Sequence, residues 1–314
     1  AEGRCDGALA LGGTGGASIG ARAFAGLPVG VPKAIVSTAV ATGHASAYVG
    51  ESDLVLFPAV ADLAGVNRIS GHILANAAAA LAGMVKAPAP PLDTSRPTLA
   101  ASMFGVTTAG VTAARERLEQ LGYEVIVFHM TGVGGRTLER LIGEGRFAGT
   151  LDVTTHELAD ELVGGVFSAG RDRLTGAAQA GIPQVVSVGA LDMVNFHTPD
   201  TVPDRFSDRN TLIHNPAVTV IRTLPEEAAE LGARLATRLS ASTAPAAIFL
   251  PLRGMSAYGV EGAPFHDPEA DEALFDAVRS TVDVNRVELF ELDMDVNDPE
   301  FAVAMAETLD EYLA

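Results

Sequence analysis

One cysteine, no tryptophan and only two lysines, Lys33 and Lys86, mark this 314-residue chain by what it lacks. With Cys5 alone, no intrachain disulfide forms, which suits a reducing compartment. His and Cys never fall at zinc-ligand spacing, which argues against a structural zinc site. Positive charge is scarce: 21 Lys and Arg stand against 39 Asp and Glu, a formal charge of −18. Such a surface repels polyanions, so the expected partners include no nucleic acid and no anionic membrane. Long hydrophobic runs are missing too. The stretch from Ile73 to Val85 is Ala-rich and far short of the ~20 residues that span a bilayer, and no basic segment followed by an apolar one opens the chain. A cytoplasmic protein is expected. No Gly-Lys-Ser/Thr follows a glycine run, no dinucleotide fingerprint appears, and Ser46, Ser187 and Ser256 lack a Gly-x-Ser-x-Gly setting.

What the chain has instead is apolar substance and glycine. Hydrophobic residues make up 48% and mean hydropathy is +0.26, enough burial to offset the ordering entropy that leaves polar chains disordered. At roughly 150 residues per domain the length suits two domains. The boundary falls at 86–97, Lys-Ala-Pro-Ala-Pro-Pro-Leu-Asp-Thr-Ser-Arg-Pro, where four prolines disfavour helix and suggest a stiff extended linker. Beyond it, short apolar runs alternate with amphipathic stretches. Strands are expected at 99–104, 124–130, 149–153, 184–188, 217–222, 246–251 and 286–292. Helices are expected near 111–121, 136–144, after 157, and at 225–239, 269–278 and 300–313, with 195–215 irregular. Thr223, Asp267 and Asp298 each precede an early proline, as helix caps do. This is the pattern of an α/β fold whose mainly parallel sheets are covered on both faces, divided into domains at 1–92 and 93–314.

The first block reads as an incomplete copy of the second. Residues 6–13 match 148–155 in pattern, and 30–38 match 181–188. In the second block two strands and two helices precede the match; in the first, nothing does. A first subdomain lacking its N-terminal strands is therefore expected, those strands coming from a further ~50–100 residues or from another chain, because an open sheet without them exposes an edge.

Ligands of open parallel sheets bind outside the carboxyl ends of the strands. Three polar loops fall there: Gly12-Gly13-Thr14-Gly15-Gly16-Ala17-Ser18, Gly105-Val106-Thr107-Thr108, and Thr131-Gly132-Val133-Gly134-Gly135. Glycines let backbone N–H groups approach an anion at a helix start; equally, such residues form tight turns and caps. Asp152, His156, Glu157 and Asp160 gather at the third strand end. His156 and Asp160, four apart, suit a general base and its orienter or a metal pair, and also suit the acidic first turn of a surface helix. Asp192 and Asn195 follow the next strand, and one carboxylate beside phosphates suits Mg²⁺. Arg253, just past a buried strand, can clamp a carboxylate or phosphate or pair on the acidic surface. Two functions follow: a nucleotide-binding protein, or an enzyme on a small acidic metabolite using Asp152, His156, Asp192 and Arg253.

Longer strings carry a family resemblance: Gly12–Gly16 with 31–38, 48–53 and 65–70, then Met103-Phe-Gly-Val-Thr-Thr108, 128–135, 154–161 and 189–196. Along its whole length the chain resembles the family of proteins sharing the ATP-binding domain of the tomato mosaic virus resistance protein. That resemblance implies two Rossmann-like subdomains, ATP as ligand, and a homodimer. Family members usually begin earlier, with a strand, loop and helix not seen here. Scarce lysine and abundant alanine point to a GC-rich bacterial genome.

Overall fold

The computed structural model describes residues 5–43, 45–88, 91 and 94–314. The chain divides into two compact units, 1–92 and 93–314. The extended linker expected at 86–97 lies partly outside the described residues; Lys86 itself closes a helix.

In the first unit, β1 (Ala8–Gly12), α1 (Thr14–Ala25), β2 (Lys33–Ser37), α2 (Ala45–Val49), β3 (Val55–Pro58) and α3 (Ser70–Lys86) follow in order. The strands form one parallel sheet, β1-β2-β3. Central β2 is buried throughout, whereas edge strand β1 alternates, leaving Leu11 exposed. Fully buried Lys33 is tied to Asp53 and the Pro28 carbonyl, which neutralises the one charge in the central strand.

The second unit contains β4 (Thr98–Met103), α4 (Thr108–Gln120), β5 (Glu124–His129), α5 (Val133–Gly143), β6 (Gly149–Thr154), α6 (Glu157–Val163), α7 (Gly176–Ala180) and β7 (Gln184–Gly189). After β8 (Met193–Phe196), β9 (Thr211–Asn215) and β10 (Val218–Arg222) come α8 (Pro225–Ser240), β11 (Ala246–Pro251), α9 (Pro268–Thr281), β12 (Val287–Leu292) and α10 (Pro299–Leu313). The main sheet is parallel in the order β12-β11-β7-β6-β4-β5. Its winding reverses between β4 and β6, the place where such sheets open a crevice. Strand residues alternate between two cores: Ile248 and Leu250 of β11 pack with α8 and α9, while Ala247 and Phe249 pack with α4 and α10. Burial on both faces explains why these strands read as continuous apolar runs.

Three expectations need correction. Residues 195–215 are not simply irregular, and the strand expected at 217–222 does not join the parallel sheet: β8, β10 and β9 form a separate antiparallel sheet. Thr223 is not a helix cap. Its hydroxyl is buried between the Leu191 carbonyl and Arg222, and Leu224 takes the cap position with its N–H held by Glu227. Asp267 and Asp298 do cap α9 and α10 through their carboxylates.

The internal repeat is visible in detail. Ala8 N–H donates to the Pro32 carbonyl at 2.9 Å, and Thr150 N–H to the Pro183 carbonyl at 3.0 Å. A Cβ on Gly7 or Gly149 would lie 3.2 Å from the respective proline oxygen, so a side chain at either equivalent crossing would crowd that carbonyl. β1 thus corresponds to β6 and β2 to β7. Whereas β6 is flanked by β4, β1 is an edge among the described residues.

Candidate functional site

In the first unit, the loop after β1 delivers backbone donors to the carboxyl end of the sheet. Gly13, extended, precedes the 12-residue α1, whose first turn has no acidic residue and no side-chain cap. The opening N–H groups of a helix find no partner inside it. Here those of Thr14 and Gly15 sit at an exposed mouth. Gly12 and Gly16 serve contact: a Cβ on Gly12 would lie 2.9 Å from the Gly16 Cα, and one on Gly16 would lie 3.3 Å from the Leu11 carbonyl oxygen. Gly15 faces open space, with no atom within 4 Å of its missing Cβ. Thr38, just past β2, borders Gly13. Ser18 lies a turn further in and donates to the Thr14 carbonyl.

The glycine-rich loop of the second unit, between β5 and α5, is closed. Glu157 accepts the Gly132 N–H at 2.7 Å and the Gly135 N–H at 3.1 Å through Oε1, and Arg173 Nε at 2.8 Å through Oε2. The anion at the mouth of α5 belongs to the protein itself. Gly135 carries no Cβ because one would overlap the Glu157 carboxylate; one on Gly134 would strike the His129 carbonyl. Arg173, fully buried, also grips Asp152 with two 2.6 Å bonds and reaches Glu139 at 3.3 Å. Glu139 in turn accepts the Leu174 and Gly176 N–H groups. Three carboxylates surround one guanidinium. Burial raises the pKa of Glu139 and of Glu157, with Arg173 opposing, and the carboxylates hold Arg173 firmly charged.

Most of the remaining rim positions are also engaged. Thr107 is buried and bonds the Thr154 hydroxyl at 2.7 Å, bracing β4 against β6. Gly105 is exposed, and Thr108 donates to the Phe104 carbonyl at 3.1 Å. Thr131 is half-buried. His156 is fully enclosed under the Phe104 ring, 4.3 Å away, and neither ring nitrogen makes a hydrogen bond of normal geometry. Burial, then Arg173 and His129, lowers its pKa to about 3, so the imidazole is neutral. Asp160 does not orient it; its carboxylate accepts the Asn195 backbone and amide N–H groups and the Phe167 N–H, stapling α6 to β8. Asp192 is fully buried, accepts Ser256 at 2.6 Å and faces Arg222. Arg253 is exposed and bound bidentately to Asp293 at 2.7 and 2.6 Å. Asp152 thus lies within β6, and His156, Asp192 and Arg253 just past β6, β7 and β11, but each is held by its own surroundings. Over this rim Phe104, Val106, Met193, Val220 and Phe265 form a small apolar core beneath the β8–β10 sheet.

A cavity of about 720 Å³ opens nearby, past the ends of β11 and β12, with Arg253, His266 and Asp271 in its wall. Neither His266 nor Asp271 stood out in the sequence, since Asp271 follows Asp267-Pro268 as an ordinary acidic first-turn residue. Arg173 was missed as well.

Family models account for nearly the whole chain. The N-terminal domain of the uncharacterised protein family UPF0261 matches residues 1–90, and its C-terminal domain matches 96–313. The chain belongs to UPF0261. A UPF0261 protein of Clostridium tetani is 49% identical over 96% of this chain and 75% of its own length. One from Rhizobium meliloti is 46% identical over 95% and 74%. The tomato protein named ToMV resistance protein Tm-1(GCR237) is 42% identical over 96% of this chain but 41% of its own length. No described helix in this UPF0261 chain is long and apolar enough to cross a membrane, and no described group of three or more His, Cys, Asp or Glu could hold a metal ion.

Proposed function

We propose that this UPF0261 chain is a nucleotide-binding protein whose ligand is ATP with Mg²⁺, the phosphates resting on the mouth of α1. One observation carries the reading: α1 starts at a glycine-rich strand end with neither a capping side chain nor an acidic residue in its first turn. Backbone N–H groups and the helix dipole there favour an anion despite the acidic exterior. ATP in particular rests on the family resemblance. Asp192 is enclosed with Ser256 and Arg222, so in this reading Mg²⁺ arrives on phosphate oxygens rather than on Asp192.

Calorimetry with ATP and Mg²⁺ tests the proposal. Binding is expected for the parent and at least about tenfold weaker for Gly13→Asp, whose carboxylate takes the place of the ligand at the helix mouth. A parent that ignores ATP, or a Gly13→Asp protein that binds it unchanged, ends the reading. The homodimer implied by the resemblance is checked by sedimentation with and without ATP; ligand-strengthened association couples the two.

A further inference from the structure

The cavity past β11 and β12 plays no part in the nucleotide reading, and its chemistry has the opposite sign. Leu252, Val260, Pro268 and Phe275 give it an apolar side, while Glu261, Asp271, Glu272 and Asp295 contribute carboxylates. The cations nearby are already committed. Arg253 is bidentate on Asp293, and Arg279 is shared among Glu272, Asp276 and Glu291. His266 approaches the Gly259 carbonyl through Nδ1 at 3.3 Å.

Behind the wall the imbalance is sharper. Asp271 is ion-paired with Arg222, which is itself buried. The same guanidinium also faces Asp192, whose Oδ1 is buried with no hydrogen-bond partner. Two enclosed carboxylates therefore depend on one cation, and Asp271 is the one that reaches the cavity. Burial pushes Asp271 up to about 7, with Arg222 opposing and Asp192 adding to the rise. A positive group set against Asp271 would supply the missing counter-charge, in a setting where low dielectric strengthens the attraction. At about 720 Å³ the space falls within the ~300–1,000 Å³ of small-molecule pockets. A half-open cavity beside a buried carboxylate that shares its cation with a second one separates this place from an ordinary acidic surface.

We propose that this cavity binds a small organic cation, an alkyl ammonium or guanidinium whose head meets Asp271 and whose stem lies along Leu252, Val260 and Phe275. Arg253 and Asp293, clasped together at the edge, bound the opening without contributing net charge.

Calorimetry on the whole chain decides it, using agmatine and cadaverine as probes, with glutarate and 1,5-pentanediol as anionic and neutral counterparts. Both cations are expected to bind and neither counterpart to do so. Asp271→Asn keeps an acceptor for Arg222 but removes the charge, and is expected to weaken cation binding at least about tenfold. Should that variant lose its circular dichroism signature, Val260→Trp fills the cavity without touching Arg222, and the same loss is required of it. Absence of cation binding to the parent at about 10 mM, equal binding of the neutral diol, or unchanged binding in a folded variant overturns the proposal.

Discussion

Two glycine-rich helix starts, each at the end of a parallel strand, differ in what fills them. At α5 the N–H groups of Gly132 and Gly135 are taken by Glu157. At α1 no side chain caps the first turn. A glycine run before a helix marks where an anion is favoured. Whether that anion is a ligand or a residue of the same chain depends on a partner far away in sequence, here 22 and 25 residues on. The difference also separates rigid from available: the α5 mouth is built into a buried charge network, the α1 mouth into none.

The comparison can be broken at several points. Arg173→Leu strands Asp152, Glu139 and Glu157 together, and is expected to cost at least about 4 kcal/mol in urea unfolding or to abolish folding; a loss near zero would mean the closed mouth does not depend on the network. Glu157→Ala frees the α5 donors and leaves Arg173 one carboxylate short, at about 3 kcal/mol. That variant should gain more thermal stability from added phosphate than the parent does, because a second helix start has become an open one. His156→Phe tests the dry interior beside the network. Folded His156 stays neutral while the unfolded chain takes up a proton below about 6.5, so the parent loses stability as pH falls. The variant lacks that loss, and should gain about 2 kcal/mol on the parent between pH 6.5 and 5. Asp160 and Asp271, raised to about 7, respond in the opposite direction, but equally in both proteins. The smallest effect is at the open mouth: Gly13→Asp should change stability by only a few tenths of a kcal/mol while weakening nucleotide binding. A large destabilisation would show that the site is less accommodating than α1 suggests.

Periodicity made the parallel sheet legible because its strands are buried on both faces; β11, for instance, is apolar from Ala246 to Pro251. The third strand of the antiparallel sheet was hidden for the converse reason. β9 is largely exposed along Thr211–Asn215 and carries no apolar run. At the candidate sites, the glycine loops were readable and their occupants were not. Arg171 and Arg173 stand two residues apart in a charged stretch, yet one side chain is 92% exposed and the other 0%. Composition cannot tell them apart; only the arrival of Asp152, Glu139 and Glu157 does. His266 and Asp271 were masked in the same way, since a capped, acidic helix start looks alike over a cavity and over solvent.

The Arg173 network also sets an order on synthesis. Glu139, Asp152 and Glu157 all leave the ribosome before the one guanidinium that pairs with all three. Until Arg173 follows, the sheet of the second unit would have to enclose three acids with no counter-ion, which low-dielectric surroundings oppose. Nascent chains halted shortly before that residue should therefore remain loose and open to protease, and chains halted well beyond it should resist cleavage between β4 and α6. The guanidinium acts as a latch that cannot close early.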